Sequence, residues 1–270
     1  MFHAGKLHAQ LQRRMWMILL LSAPVVPASG TDMDILLACF FMFLGAFVQT
    51  SIGFGLAVVA APVLYFINPA YVPVPITLAV LGLSLLNTFN FRKDVAPGSL
   101  KSAITGRIPG SIAGAALLLW IDKSLLSLWI GTSVLLAVAV SLSSLRWQPT
   151  TGRLMLAGFM SGFMGTSSSI GGPPMALVWQ HQDIKLIRAN LAAFFAVSCL
   201  ISLIVLLPTE YFGWQHVQLS LPLLPATLAG YLLARRTMHR LPHRAIRGGS
   251  LILCSVSGIA AVLSYLFQSV

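Results

Sequence analysis

Two short segments rich in glycine and serine interrupt the apolar stretches of this chain, and they contain the residues best suited to hold a solute. The first reads Ser-Ile-Gly-Phe-Gly at residues 51–55, and the second spans residues 166–174 and contains Ser-Ile-Gly at 169–171. Serine hydroxyls donate hydrogen bonds, and glycines let a solute approach the backbone. A helix that starts just after such a break directs unpaired N–H groups and its positive dipole end at the break. These features together favour the binding of an oxyanion.

The predicted anion site takes its members from the two breaks and from the residues beside them. We assign close backbone approach to glycines, hydrogen bonding to serines and one glutamine, and charge complementarity to one arginine. The members are Gln49, Ser51, Gly53, Gly55, Ser168, Ser169, Gly171, Gly172 and Arg188. The alternative interpretation is that the small residues only allow a bend or close helix packing. Repetition of Ser-Ile-Gly at corresponding places in the two halves favours a site.

Two arginines lie in or beside apolar runs and have two possible explanations. Arg107 falls within the run 102–121, and Arg188 opens the run that follows the second break. A fixed positive charge in a solute pathway would suit either position. Snorkelling of the guanidinium to the cytoplasmic headgroups is the plainer account of both. On the sequence alone we therefore leave Arg107 out of the site.

The elements that must position these residues are apolar helices. Hydrophobic residues make up 57% of the chain and charged residues 9%, a balance that would leave large apolar faces exposed on a soluble domain. Apolar runs of roughly 16 to 22 residues suit helices that cross a hydrocarbon core of about 30 Å. Runs are predicted near 34–50, 56–67, 74–91, 102–121, 124–145, 154–165, 174–180, 188–207, 219–235 and 248–268. We therefore predict an all-α polytopic membrane protein.

The runs divide the chain into two repeats after an N-terminal extension. Residues 34–145 and 146–270 each contain an interrupted, re-entrant-like helix pair followed by three transmembrane helices. Placing the Lys- and Arg-rich loops in the cytoplasm makes the first pair enter from outside and the second from inside. We therefore predict two inverted repeats whose hairpin tips meet near the membrane midplane. Residues 1–33 are predicted to be a removed signal peptide or an extra helix.

Charge and motif content disfavour several other classes of function. The net charge is +11, but the basic residues lie in short loops, where retention on the cytoplasmic side explains them without nucleic acid. Three cysteines with no metal-ligand spacing predict no metal and no cofactor. No P-loop, nucleophile elbow or HExxH motif occurs, so we predict no enzyme activity. The predicted partners are a small anionic solute and the lipid bilayer, and the sequence leaves open whether the chain forms a homo-oligomer.

The two breaks and their flanks resemble the signature segments of the TauE/SafE family of sulfite and organosulfonate transporters. The resemblance rests on Gln-Thr-Ser-Ile-Gly-Phe-Gly at 49–55 with Pro62, and on Ile-Gly-Gly-Pro-Pro at 170–174 with Lys185, Arg188 and Ala-Asn-Leu at 189–191. It extends from about Asp34 to the C-terminus. The resemblance implies transport of sulfur-containing anions across a bacterial cytoplasmic membrane. A passive anion channel is the alternative that the same residues would serve.

The loop charges yield a topology prediction that labelling can test. Residues 236–247 are expected in the cytoplasm, because five arginines lie between 235 and 247, and residues 208–216 are expected outside. Single cysteines placed in these two loops should react with a membrane-impermeant thiol reagent in intact cells only at 208–216. Labelling confined to 236–247 would overturn both the orientation and the inverted arrangement.

Overall fold

The computed structural model describes residues 32–142 and 148–237, together with separate positions between 248 and 262. The described residues form helices and no strand, and six helical segments are long and apolar enough to cross a membrane. These segments are Asp32–Ile52, Pro69–Asp94, Pro97–Trp120, Leu125–Leu142, Ile184–Leu206 and Trp214–Thr237. The prediction of an all-α polytopic membrane protein is therefore confirmed. Residues 1–31 of the predicted extension, the basic loop 238–247 and most of the run 248–268 lie outside the described residues, whereas Asp32 and Met33 of the extension belong to the first described helix.

Ten α-helices are described over these ranges, and most follow the predicted apolar runs. They are α1 (Asp32–Ile52), α2 (Leu56–Ile67), α3 (Val74–Phe91), α4 (Pro97–Trp120), α5 (Lys123–Leu142), α6 (Thr151–Ser168), α7 (Gly172–Trp179), α8 (Ile184–Leu206), α9 (Trp214–Ser220) and α10 (Leu223–Thr237). The predicted run 219–235 lies within the spanning segment Trp214–Thr237, which a turn at residues 221 and 222 divides into α9 and α10. Pro222 stands in that turn, where its missing N–H and fixed ring oppose a continuous helix.

The second break is shorter than the sequence predicts. Residues 166–168 remain helical, so only 169–171 are non-helical before α7 begins. The hydroxyls of Ser167 and Ser168 bond within this helix, since they donate to the carbonyl oxygens of Phe163 and Met164, four residues earlier, at 2.7 and 2.8 Å. A hydroxyl used in this way is compatible with continued helix. The first break, in contrast, interrupts the chain at 53–55 much as predicted.

A stripe of glycines brings the backbones of α4 and α6 into direct contact. A Cβ atom added at Gly106, Gly110 or Gly114 would lie 1.9, 2.1 or 2.4 Å from a carbonyl oxygen on successive turns of α6. Those oxygens belong to Met155, Phe159 and Phe163. Real side chains do not approach that closely, so only glycine permits this packing. A four-residue spacing of glycines in an apolar run indicates close backbone approach between helices, and the structure shows that approach here.

The two halves of the chain make matching contacts. The helix before the second break, α6, packs along α4 of the first half, and the helix before the first break, α1, packs along α10 of the second half. The second contact is also close, because a Cβ at Gly230 would lie 2.2 Å from the carbonyl oxygen of Phe43. Helices α3 and α8 pack against each other between these pairs. Each break is thereby held by helices from both halves.

Apolar side chains cover the outside of the helix assembly as well as its interior. Trp179 and Phe194 are fully buried and meet edge to face, with ring centroids 6.3 Å apart. Other large apolar side chains stay exposed, as a lipid-facing surface requires. Examples are Leu36, Phe89, Ile112, Trp120, Leu200 and Ile204.

The contact between α4 and α6 predicts which glycine substitutions the fold rejects. Gly110→Leu would force the two helices apart, at a cost beyond the ~1–3 kcal/mol typical of overpacking. We expect it to abolish expression or to lower the melting temperature strongly. Ile112→Leu, on the same helix but 55% exposed, should change the melting temperature little. Equal melting temperatures for the two purified variants would contradict this packing.

Candidate functional site

The two breaks line one cavity inside the helix assembly. The cavity leaves about 30 Å³ for the centres of water molecules, and its walls include residues 54 and 55 of the first break and residues 169–172 of the second. The breaks also touch each other, because a Cβ at Gly172 would lie 3.0 Å from the Cβ of Phe54. Two segments separated by more than a hundred residues in the sequence are thus brought together at a single interior space.

The first break depends on glycine and is closed by a glutamine. Gly53 and Gly55 have φ angles of 111° and 129°, which disfavour any residue with a side chain. The Gln49 side-chain oxygen accepts a hydrogen bond from the N–H of Leu56 at 3.2 Å, and its amide group donates to the Ser84 hydroxyl at 3.4 Å. Gln49 therefore caps the first free N–H of α2. The next two residues of that first turn, 57 and 58, line the cavity.

The second break is fastened to α3 by a serine. Ser169 has a φ of 65°, and its hydroxyl donates to the carbonyl oxygen of Pro73 at 2.9 Å and lies 3.3 Å from the Thr77 hydroxyl. Both hydroxyls line the cavity. The helix that follows begins Gly-Pro-Pro, so two positions of its first turn have no N–H. The first turn of α7 therefore has fewer backbone N–H donors than the first turn of α2.

Arg107 is the charged residue of this cavity, and the snorkelling interpretation is wrong for it. The side chain is 3% exposed and lies between α4, α6 and α8. Its guanidinium donates to the Ser161 carbonyl oxygen, to the Ser161 hydroxyl at 3.0 Å and to the Ser202 hydroxyl at 2.7 Å, with a longer contact of 3.4 Å to the Ser198 carbonyl oxygen. The Nε atom is buried and has no hydrogen-bond partner in the described part of the chain.

Small residues around Arg107 make room for the guanidinium. A Cβ at Gly165 would lie 2.7 Å from the Nη1 atom, and one at Gly171 would lie 3.0 Å from it. The Phe194 ring centroid is 5.9 Å from the guanidinium carbon, close enough for a cation–π contact. Every described partner of Arg107 is therefore a neutral group, and the described cavity lining contains no Asp or Glu. The sequence contained one signal that Arg107 is buried between helices. It lies next to Gly106 in the glycine stripe and so belongs to a packed helix face.

Five of the nine predicted site residues line the cavity. These are Gln49, Gly55, Ser169, Gly171 and Gly172. The other four, Ser51, Gly53, Ser168 and Arg188, do not belong to the lining, and their roles as solute ligands stay predictions.

The residues outside the lining hold the first break against α8. Arg188 donates to the carbonyl oxygen of Ser51 through its Nε atom at 2.9 Å and also through a terminal nitrogen. A Cβ at Gly53 would lie 2.9 Å from the Leu191 side chain. The Ser51 hydroxyl is fully buried and has no partner among the described residues. This region therefore fixes where α1 ends.

Comparison with known protein families matches residues 37–261 to the family described as sulfite exporter TauE/SafE. Comparisons with curated proteins and with solved structures gave no match. The family match spans most of the chain and includes both breaks, the cavity between them and the described helices, apart from the first five residues of α1. The chain therefore belongs to the sulfite exporter TauE/SafE family of membrane transporters.

Proposed function

We propose that this protein is a carrier that moves a small anion, a sulfur oxyanion or an organosulfonate, across a bacterial cytoplasmic membrane. The observation that carries the proposal is the position of Arg107, a buried full positive charge on a cavity that both chain breaks line. Membership of the sulfite exporter TauE/SafE family supports the choice of a sulfur-containing anion. The proposal needs no catalytic step.

Burial of Arg107 is costly unless an anion visits the cavity. Removing a guanidinium from water carries a desolvation penalty that neutral hydrogen-bond partners offset only in part. Ionisable residues at membrane depth are therefore rare and mark solute or ion pathways. An anion in the cavity would supply the missing opposite charge. The hydroxyls of Thr77, Ser169 and Ser202 lie in the same lining and would complete its coordination, those of Thr77 and Ser169 by turning from the Pro73 carbonyl oxygen to the anion.

The matching contacts of the two halves support a carrier with inverted repeats. Pairing of α1 with α10 and of α6 with α4 is what two copies related by a pseudo-twofold axis would produce. Helices α3 and α8 would then lie nearest the axis, and both contribute residues to the cavity lining. A site between such repeats can be exposed alternately to the two sides by rocking one against the other. This arrangement favours a carrier over a passive channel.

Ser169→Ala tests whether the cavity binds the anion. Loss of one hydroxyl donor to an oxyanion should cost on the order of 1–3 kcal/mol, or roughly five- to hundredfold in affinity. The measurement is anion affinity by thermal shift on purified protein, screening sulfite, sulfate, thiosulfate, sulfonates and carboxylates, since a ligand raises the melting temperature by mass action.

Two further serine variants complete that experiment. Ser133→Ala removes another buried hydroxyl, which has no described partner and lies on α5 outside the cavity lining, and it should leave affinity unchanged. Ser51→Ala asks whether the unpartnered hydroxyl beside the first break contacts the solute, as the sequence predicts. If Ser169→Ala lowers only the melting temperature of the ligand-free protein, the residue packs helices and the proposed site is wrong.

Transport kinetics distinguish a carrier from a pore. Purified protein in liposomes should give an uptake rate that saturates with anion concentration, and a preloaded anion should accelerate uptake by counterflow. A channel would instead pass unitary currents in planar bilayers and show no counterflow. Unitary currents without counterflow would show that the protein is a channel and not a carrier. That result would not contradict the proposed anion site.

A further inference from the structure

We infer that the cavity selects a monoanion over a dianion of the same shape, because Arg107 is the one charged side chain in its described lining. The inference rests on the proposed function and narrows its substrate class to singly charged oxyanions, such as an alkanesulfonate or hydrogensulfite. Doubly charged sulfite and sulfate are disfavoured.

The positive charge of Arg107 is full and fixed in place. A guanidinium stays protonated in proteins, so the charge does not vanish on burial. Hydrogen bonds to Ser161 on α6 and to Ser202 on α8 hold the group from two sides. Its unpartnered Nε leaves one N–H unused among the described contacts. The anion thus meets a single, fixed positive charge.

The charge of the solute enters its binding energy in two different ways. The cost of moving an ion from water into a low-dielectric cavity grows with the square of its charge, so a dianion costs about four times as much as a monoanion. Its attraction to one fixed cation grows only in proportion to the charge, and therefore about doubles. With one cation present, most of the desolvation cost of the second negative charge is therefore left uncompensated.

No second cationic side chain lies in the described lining, and the backbone N–H groups at the start of α2 carry only partial positive charge. The polar side chains there other than Arg107 are uncharged, and the Leu56 N–H at the start of α2 is already bonded to Gln49. The other helix end at the cavity has Pro173 and Pro174 in its first turn. Arg188 lies outside the lining and donates to a backbone carbonyl oxygen.

The remaining wall of the cavity suits an uncharged substituent. Ala57, Val80, Ile170 and Phe195 present apolar surface to the same space in which the hydroxyls and Arg107 lie. A methyl group placed there would lose little hydration free energy, whereas a charged oxygen would lose its hydration without gaining a hydrogen-bond partner. Methanesulfonate and sulfate are therefore an apt pair of probes, because both are tetrahedral and they differ by one charge.

The test is the affinity of purified full-length protein for methanesulfonate and for sulfate at the same ionic strength, by thermal shift and calorimetry. Methanesulfonate should bind at least about tenfold more tightly. Arg107→Gln should weaken methanesulfonate binding by about tenfold or more, whereas Arg107→Lys keeps the charge and should keep the preference for methanesulfonate. Arg92→Gln removes the same charge from an exposed side chain and should alter neither affinity.

Each other outcome has a defined meaning. Sulfate binding as tightly as methanesulfonate would overturn the inference and leave the proposed anion carrier intact. Unchanged methanesulfonate affinity in Arg107→Gln would also overturn it, because the charge would then come from elsewhere. If Arg107→Gln does not fold, the comparison of the two anions on the unsubstituted protein still decides. Binding of no anion at all would remove the inference together with the proposed function.

Discussion

Burial of the Arg107 charge is the constraint on which the arrangement of the central helices depends. A guanidinium inside a membrane protein must be surrounded by acceptors, because lipid supplies none. Here the acceptors come from α6 and α8, so both helices must stay within hydrogen-bond reach of α4. The hydrogen bonds to the guanidinium lie close to the second break. The charge therefore links the packing of three helices to the position of the cavity.

Close packing of α4 and α6 follows from the same requirement. Glycines at 106, 110 and 114 let the two backbones touch, and Gly158 and Gly162 do the same from the facing helix. At this short separation the arginine side chain cannot run along the interface toward the headgroups. It turns instead into space left by Gly165 and Gly171. A helix pair with larger residues would be further apart, and snorkelling would again become the favourable solution.

Different interactions hold the two breaks beside the cavity, although both breaks contain Ser-Ile-Gly. The first relies on two glycines in a backbone conformation closed to other residues, and a glutamine side chain replaces the missing helical hydrogen bond. The second is short, and its serine hydroxyl fastens it to α3. The first break thus places backbone N–H groups of α2 at the cavity, and the second places a hydroxyl there that is bonded to the carbonyl oxygen of Pro73.

Much of this architecture follows from sequence alone, because lipid imposes strong local rules. Apolar length defines the spanning helices, so the run 74–91 coincides with α3, and glycine spacing correctly indicates close backbone contact. The Ser-Ile-Gly repeats identify both breaks, and five of the residues around them do line one cavity. The orientation, the inverted relation of the halves and the solute remain predictions.

Only the tertiary structure decided the role of each polar group, because that depends on which partner lies within about 3 Å. Ser168 and Ser169 are neighbours of one type, yet one hydroxyl bonds within its own helix and the other bonds to α3 at the cavity. Arg107 and Arg188 look alike as arginines near apolar runs, yet one lines the cavity and the other holds the end of α1. The length of the apolar runs specifies which segments enter the membrane. The contacts between distant helices determine which buried charge has no opposite charge beside it.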